Sequence, residues 1–164
     1  MILFIVLGAG IAYEGYISTI YPVNKAVGLI IRAQSAQTPE QLAEYVELTK
    51  SSLPENGNPV WLFQTVRTDF KLIQSTLDDV QTRAELVESM DPHGSAYNAA
   101  LIDMHRTADT LEANLLEALP YMYISFVNVI IASVWVVAII AVFAAMRVVN
   151  SKTRARYEQP SKTV

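Results

Sequence analysis

The sequence predicts an all-α membrane protein in which two transmembrane helices flank an extracytoplasmic antiparallel helical hairpin, itself part of a small helical bundle. Three observations carry that expectation. The 164 residues are 52% hydrophobic but only 17% charged, whereas soluble domains carry about 25% charge, and the mean hydropathy is +0.27. The apolar residues collect at the two ends of the chain instead of spreading over one core. Between them, prolines and three-then-four spacings of apolar residues mark helices, and no run alternates as a half-buried strand does.

Taken in order, residues 1–21 (MILFIVLGAGIAYEGYISTIY) form the first span. They hold one charged residue, Glu14, and as a helix cover about 30 Å, the thickness of a bilayer core. A cleaved signal peptide is the rival reading, but a basic n-region and a small-x-small cleavage site are missing, which favours a retained anchor. Gly8, Ala12 and Gly15 give this helix a small face suited to close contact with another, as Ala141 and Ala145 do on the second span.

Residues 121–147 form that second span, and from Tyr121 to Met146 it carries no charge at all. Glu14 lies seven residues before Tyr21 and Asn128 seven after Tyr121, so in antiparallel spans both sit about 10 Å below the outer surface and can meet. An intramembrane carboxyl can serve a proton or ion path. With no second ionisable group at that depth, a polar contact to Asn128, Tyr13 or another subunit is the favoured reading. Tyr13, Tyr16, Tyr21, Tyr121 and Tyr123 crowd the outer ends as an interfacial belt.

Orientation follows from the basic residues. After the second span, residues 148–164 form a short basic tail; Arg147, Lys152, Arg154, Arg156 and Lys162 oppose only Glu158. The tail therefore belongs in the cytoplasm against anionic headgroups. Two crossings put the N-terminus there too and leave residues 22–120 outside. That region holds seven Lys/Arg and fourteen Asp/Glu, a net of −7 hidden inside the overall −4.

Within residues 22–120, the stretch 23–36 continues the first helix past Pro22, with Ala26, Leu29, Ile30 and Ala33 on one face. Thr38-Pro39-Glu40-Gln41 combines an N-cap threonine, proline at the first helical position and a glutamine placed to close a capping box. The helix it starts carries Leu42, Tyr45, Val46, Leu48 and Thr49 before Pro54 stops it. Residues 51–63 (SSLPENGNPVWLF) form a loop ending in an apolar cluster, Val60 to Phe63. The default is burial between the flanking helices; the alternative is contact of Trp61 and Phe63 with lipid or a partner subunit.

The hairpin is the best-defined feature. Phe70, Ile73, Leu77, Val80, Ala84 and Val87 follow a 3-4-3-4-3 spacing, and Tyr97, Leu101, Met104, Ala108, Leu111, Leu115 and Ala118 a 4-3-4-3-4-3 spacing. Two such seams (69–89 and 95–118) joined by Asp91-Pro92-His93-Gly94-Ser95 make an antiparallel pair. Ser95 is the expected N-cap of the second helix, which should feed through Pro120 into the second span.

Composition also excludes functions. There is no cysteine, so no disulfide, thiolate metal site or cysteine nucleophile. An acidic chain of pI ≈ 5.1 is not built for nucleic acid. No phosphate-binding, dinucleotide, GxSxG or HExxH motif occurs. His93 and His105 are the only histidines and the only metal candidates, but a turn and a helix position twelve residues apart do not make an i, i+4 pair. Asp78, Asp79, Glu85, Glu88, Asp109 and Glu112 fall on exposed faces of the hairpin, as a solvated acidic surface requires.

The order of span, outer bundle, span resembles the sensor half of chemoreceptors and histidine kinases, although the tail leaves no room for an output module. The stretch Gly57-Asn58-Pro59-Val60-Trp61-Leu62-Phe63, followed by Thr68-Asp69-Phe70-Lys71-Leu72-Ile73-Gln74, is similar to small helical accessory subunits of the archaeal membrane-bound ammonia monooxygenase. This resemblance implies copper held by neighbouring subunits and none by this chain. The expectation is a non-catalytic accessory or structural subunit whose partners are other membrane subunits and the lipid bilayer, with a homo-oligomer possible. The competing expectation is a membrane-anchored ligand-sensing module.

Overall fold

The structure is a computed structural model and describes residues 2–157. Every regular element among them is helical. The chain divides into two compact units, Met1–Ser125 and Phe126–Val164.

The first unit opens with a long rod made of α1 (Ile2–Gly15), a π turn (Tyr16–Ile20) and α2 (Tyr21–Gln34). The helix does continue past Pro22, and the π turn sits just before it. Proline removes the donor that would reach Ser18 and crowds that carbonyl; the preceding turn widens instead, with the Tyr21 N–H bonded to the Tyr16 carbonyl. The hydroxyls of Ser18 and Thr19 reach back to the carbonyls of Glu14 (2.7 Å) and Gly15 (2.5 Å). α1 is apolar all round and its Ile5, Val6, Leu7 and Ile11 are exposed, whereas α2 buries Val23, Ala26, Ile30 and Ala33 completely.

α3 (Pro39–Ser52), α4 (Phe70–Glu88) and α5 (Ser95–Tyr123) complete a four-helix bundle in which α2 packs on α3 and α5, and α4 on the same two. Thr38 caps α3 as its sequence requires, its hydroxyl accepting from the Gln41 N–H. The Gln41 side chain closes onto the N–H of Gln37 instead of Thr38, one residue further out. In α3, Leu42, Val46 and Thr49 are buried, but Leu48 is exposed. Thr49 is satisfied by donating to the Tyr45 carbonyl.

All six seam residues of α4 are buried, as are Met104, Ala108, Leu111, Leu115 and Ala118 of α5. Tyr97 and Leu101 pack against this core partly buried. Two expectations about ends are corrected. Ser95 is the first helical residue and not the cap: Gly94 occupies the N-cap position and no side chain caps the helix. A Cβ on Gly94 would stand 3.0 Å from the Asp91 carbonyl oxygen, so the tight Asp91–Gly94 turn leaves no room for a capping side chain there. The second concerns the passage into the second span: α5 does run through Pro120, but only to Tyr123, and a break at Ile124 and Ser125 precedes the next helix.

The second unit consists of α6 (Phe126–Tyr157), apolar from its start up to Arg147. It extends beyond residue 147, so Arg147, Lys152 and Arg154 are exposed on a helix and not on an extended tail. Two helical stretches, Phe4–Gln34 and Ser95–Arg154, are long and apolar enough to cross a membrane. Since the second is interrupted at 124–125, α6 is its apolar part. Glu158 and Lys162, and the side chain of Arg156, lie outside the described residues.

Candidate functional site

The segment between α3 and α4 is a built loop, and its sequence explains how. Gly57 adopts φ +103, which only glycine takes without strain. Its carbonyl accepts the N–H of Phe70 (2.9 Å) and so brings the two ends of the loop together. Asn58 then pins the interior. Its amide donates to the Thr65 carbonyl (2.8 Å), and its oxygen accepts both the Val60 N–H (3.0 Å) and the Thr68 hydroxyl (2.9 Å). Val60 and Thr68 are buried as the inner anchors. A 3-10 turn (Val66–Thr68) leads to Asp69, whose carboxylate caps α4 by accepting the Lys71 N–H (2.9 Å). From the α3 side, the Gln74 amide donates to the carbonyls of Lys50, Leu53 and Pro54, closing the end of α3.

What this framework presents outward is mixed, with Gln64, Thr65 and Arg67 exposed among large apolar side chains. Trp61, Leu62, Phe63 and Val66 are 42%, 64%, 81% and 74% exposed. The expectation that the cluster packs between the flanking helices holds only for Val60. The reason is geometric: Asn58 turns the chain so that the residues after Val60 leave the core. The Trp61 ring is instead tied by its Nε1–H to the carbonyl of Ile124 at 2.9 Å, across 63 positions of sequence. That carbonyl belongs to the break after α5. The same end of the bundle, its base, gathers the π turn and the 3-10 turn against α5, and Tyr16 and Tyr21 stand there with ring centroids 6.4 Å apart.

The remaining candidate residues are dispersed. His93 is exposed in the α4–α5 turn, where its N–H is taken by the Asp91 carboxylate. His105, about three turns along α5, is half-buried and its Nε2 lies 3.0 Å from the carbonyl of Ala36, closing the end of α2. The two are thus engaged separately. No group of three or more His, Cys, Asp or Glu that could hold a metal occurs among the described residues. Glu14 is exposed on α1, as is Ala12, and a Cβ at Gly15 would meet open space. Asn128 lies near the start of α6, in the other unit.

Elsewhere the bundle surface combines scattered exposed apolar side chains, such as Leu86 and Ile102, with polar pairs. Arg83 bonds Asp103 at 2.6 Å between α4 and α5, Lys50 pairs with Asp78 between α3 and α4, and Gln34 donates to Glu112 at 2.5 Å between α2 and α5. A groove of about 570 Å³ between α3 and α4 is lined by Glu47, Lys50, Ser51, Glu55, Gln74 and Gln81 among others. No protein-family model matches the chain, and no curated protein or solved structure matches it significantly.

Proposed function

We propose that this chain is a non-catalytic accessory subunit of a larger membrane complex, anchored by two spans and carrying its four-helix bundle outside the membrane. One observation carries the reading. Glu14 is an ionisable side chain in an apolar helix, and it is exposed on that helix. In a bilayer such a group requires a polar partner, which a neighbouring chain would supply, and the small residues Ala12 and Gly15 give the same helix a separate face that admits a close neighbour. The orientation rests on Arg147, Lys152, Arg154 and Arg156 at the end of the second span, which favour the cytoplasmic side for both termini. The archaeal resemblance in residues 57–74 makes a membrane-bound copper monooxygenase the complex to test first, with copper held by other subunits.

Cross-linking and native mass spectrometry on mildly solubilised membranes test the proposal. The expected result is co-purifying chains linked through residues near Glu14; a lone 18.2 kDa species overturns it. Because the chain has no cysteine, single cysteines report orientation directly. Ser75→Cys should react with an impermeant maleimide on intact cells, and Ser151→Cys only after permeabilisation. A sensor-like module is favoured by one observation, the polar groove between α3 and α4. A saturable thermal shift with a small polar metabolite, abolished by Gln81→Leu, would favour that reading.

A further inference from the structure

The base loop sits where the chain leaves the bundle. Trp61 is bonded to the carbonyl of Ile124, two residues before α6 begins at Phe126, and the loop's 3-10 turn packs on α5. The loop is rigidly built by Gly57, Asn58 and Thr68, yet its outward side chains Leu62, Phe63 and Val66 are the most exposed apolar residues of the outer region. Evolving such a framework only to hold apolar side chains in water would carry a solubility cost with no return. A surface that is apolar at the tip, aromatic at its root and followed directly by Arg67 has the composition of an interfacial anchor: Phe and Leu enter the acyl boundary, Trp sits at headgroup level and Arg meets phosphate.

From this geometry we infer that Trp61, Leu62, Phe63 and Val66 form a third membrane attachment, embedded in the interfacial layer of the outer leaflet at the base of the bundle, with Gln64 and Thr65 at headgroup level. The occupant is lipid, because the loop shares the base of the bundle with the π turn, where the exposed apolar helix α1 ends, both turns packing on α5. The attachment would tie the α3–α4 connection to the bilayer in addition to the two spans. This inference rests on the reading of α1 and α6 as spans.

The two tryptophans, Trp61 and Trp135, allow that reading and the inference to fail separately. The full chain is reconstituted in phosphatidylcholine vesicles containing lipids brominated at shallow or deep acyl positions. In Trp135→Phe, Trp61 should show blue-shifted emission, weak quenching by aqueous acrylamide and stronger quenching by shallow than by deep bromines, as expected about 15 Å from the midplane. In Trp61→Phe, Trp135 should be quenched by deep bromines. If Trp135 responds to lipid and Trp61 responds only to acrylamide, the loop is not a membrane anchor although the span reading stands. If neither responds to lipid, both fall. Phe63→Asp, at an 81% exposed position, should leave the circular dichroism unchanged while reducing the lipid quenching of Trp61. Undiminished quenching in this variant overturns the loop as the inserted element.

Discussion

The two halves of the first rod share their aliphatic residue types, and these meet opposite fates. Below the π turn, Ile5, Val6, Leu7 and Ile11 are 42–63% exposed; above it, Val23, Ala26, Ile30 and Ala33 are fully buried. Composition and periodicity both separate them: the upper half places Val23, Ala26, Val27, Ile30 and Ala33 three and four apart and intersperses Asn24, Lys25 and Arg32, while the lower half holds one charged residue, Glu14, and no single apolar stripe. A helix with one apolar stripe solves its burial problem inside the chain, and one that is apolar all round leaves it to the bilayer or to neighbours. The π turn at Tyr16–Ile20 marks the changeover.

The largest effect should follow from breaking the interior of the bundle. Leu77 is 0% exposed at the centre of the α4 seam, and Leu77→Ala should cost about 2–5 kcal/mol through lost burial and the cavity left behind. Ile11 lies on α1 outside the core cluster, and Ile11→Ala should leave the bundle's chemical denaturation midpoint unchanged in detergent. Equal losses in both variants would mean that α1 is packed as tightly as α2 and would erase the contrast.

Next comes the contrast between the two ends of α4. The connection before it is held by side chains, Asn58 above all, and the turn after it mainly by its own backbone and Asp91. Asn58→Ala removes three hydrogen bonds, leaves the buried Thr68 hydroxyl with only its longer contacts to Thr65 and should cost about 1–3 kcal/mol. The sharper readout is local. Trypsin should cut faster after Arg67 in this variant while cleavage after Arg83, inside α4, keeps its rate; unchanged cutting at Arg67 would mean that Asn58 does not hold the loop.

Much of the bundle was legible in the sequence because its determinants are local. Phe70 to Val87 and Met104 to Ala118 lie at helical spacing, and Thr38-Pro39 carries its own cap signal within four residues. Asp69, an aspartate immediately before an apolar-periodic run, carries a cap signal of the same local kind. The site was legible only as composition. That Trp61–Phe63 must do something is plain from the residues, but where they go depends on Trp61 meeting Ile124, a contact 63 positions long that no spacing encodes. The missing cap at Ser95 has a steric cause in the Asp91 carbonyl beside Gly94, which appears only once the turn is built.

That difference in capping gives a smaller, pH-dependent test. α3 is capped by the Thr38 side chain and α5 by none, so Thr38→Ala should cost about 1 kcal/mol whereas Ser95→Ala should cost almost nothing. The Thr38 hydroxyl, and after it Glu40's own N–H, hold the Glu40 carboxyl below its ordinary value of 4.5. A carboxyl lowered in the folded state stabilises it above the unfolded value, and that contribution is lost as pH falls from 4.5 through the folded value. An NMR titration should therefore find Glu40 below 4.5 in the native chain and closer to it in Thr38→Ala. An unmoved titration would remove Thr38 as the cause.

The smallest effect belongs to the surface pair Arg83–Asp103, which bridges the same two helices as the Leu77 seam. Its geometry is close, 2.6 Å, but the side chains are 40% and 62% exposed, so water and salt compete for both charges and little is gained by fixing two flexible ends. Asp103→Asn should shift the urea midpoint by less than the equivalent of about 1 kcal/mol, and raising ionic strength should narrow the remaining gap to the native chain. The apolar variant Leu77→Ala should show no such salt response. If Asp103→Asn proved as costly as Leu77→Ala, the hairpin would be held by its acidic surface as much as by its seam, and periodicity would lose its place as what separates the bundle from the spans.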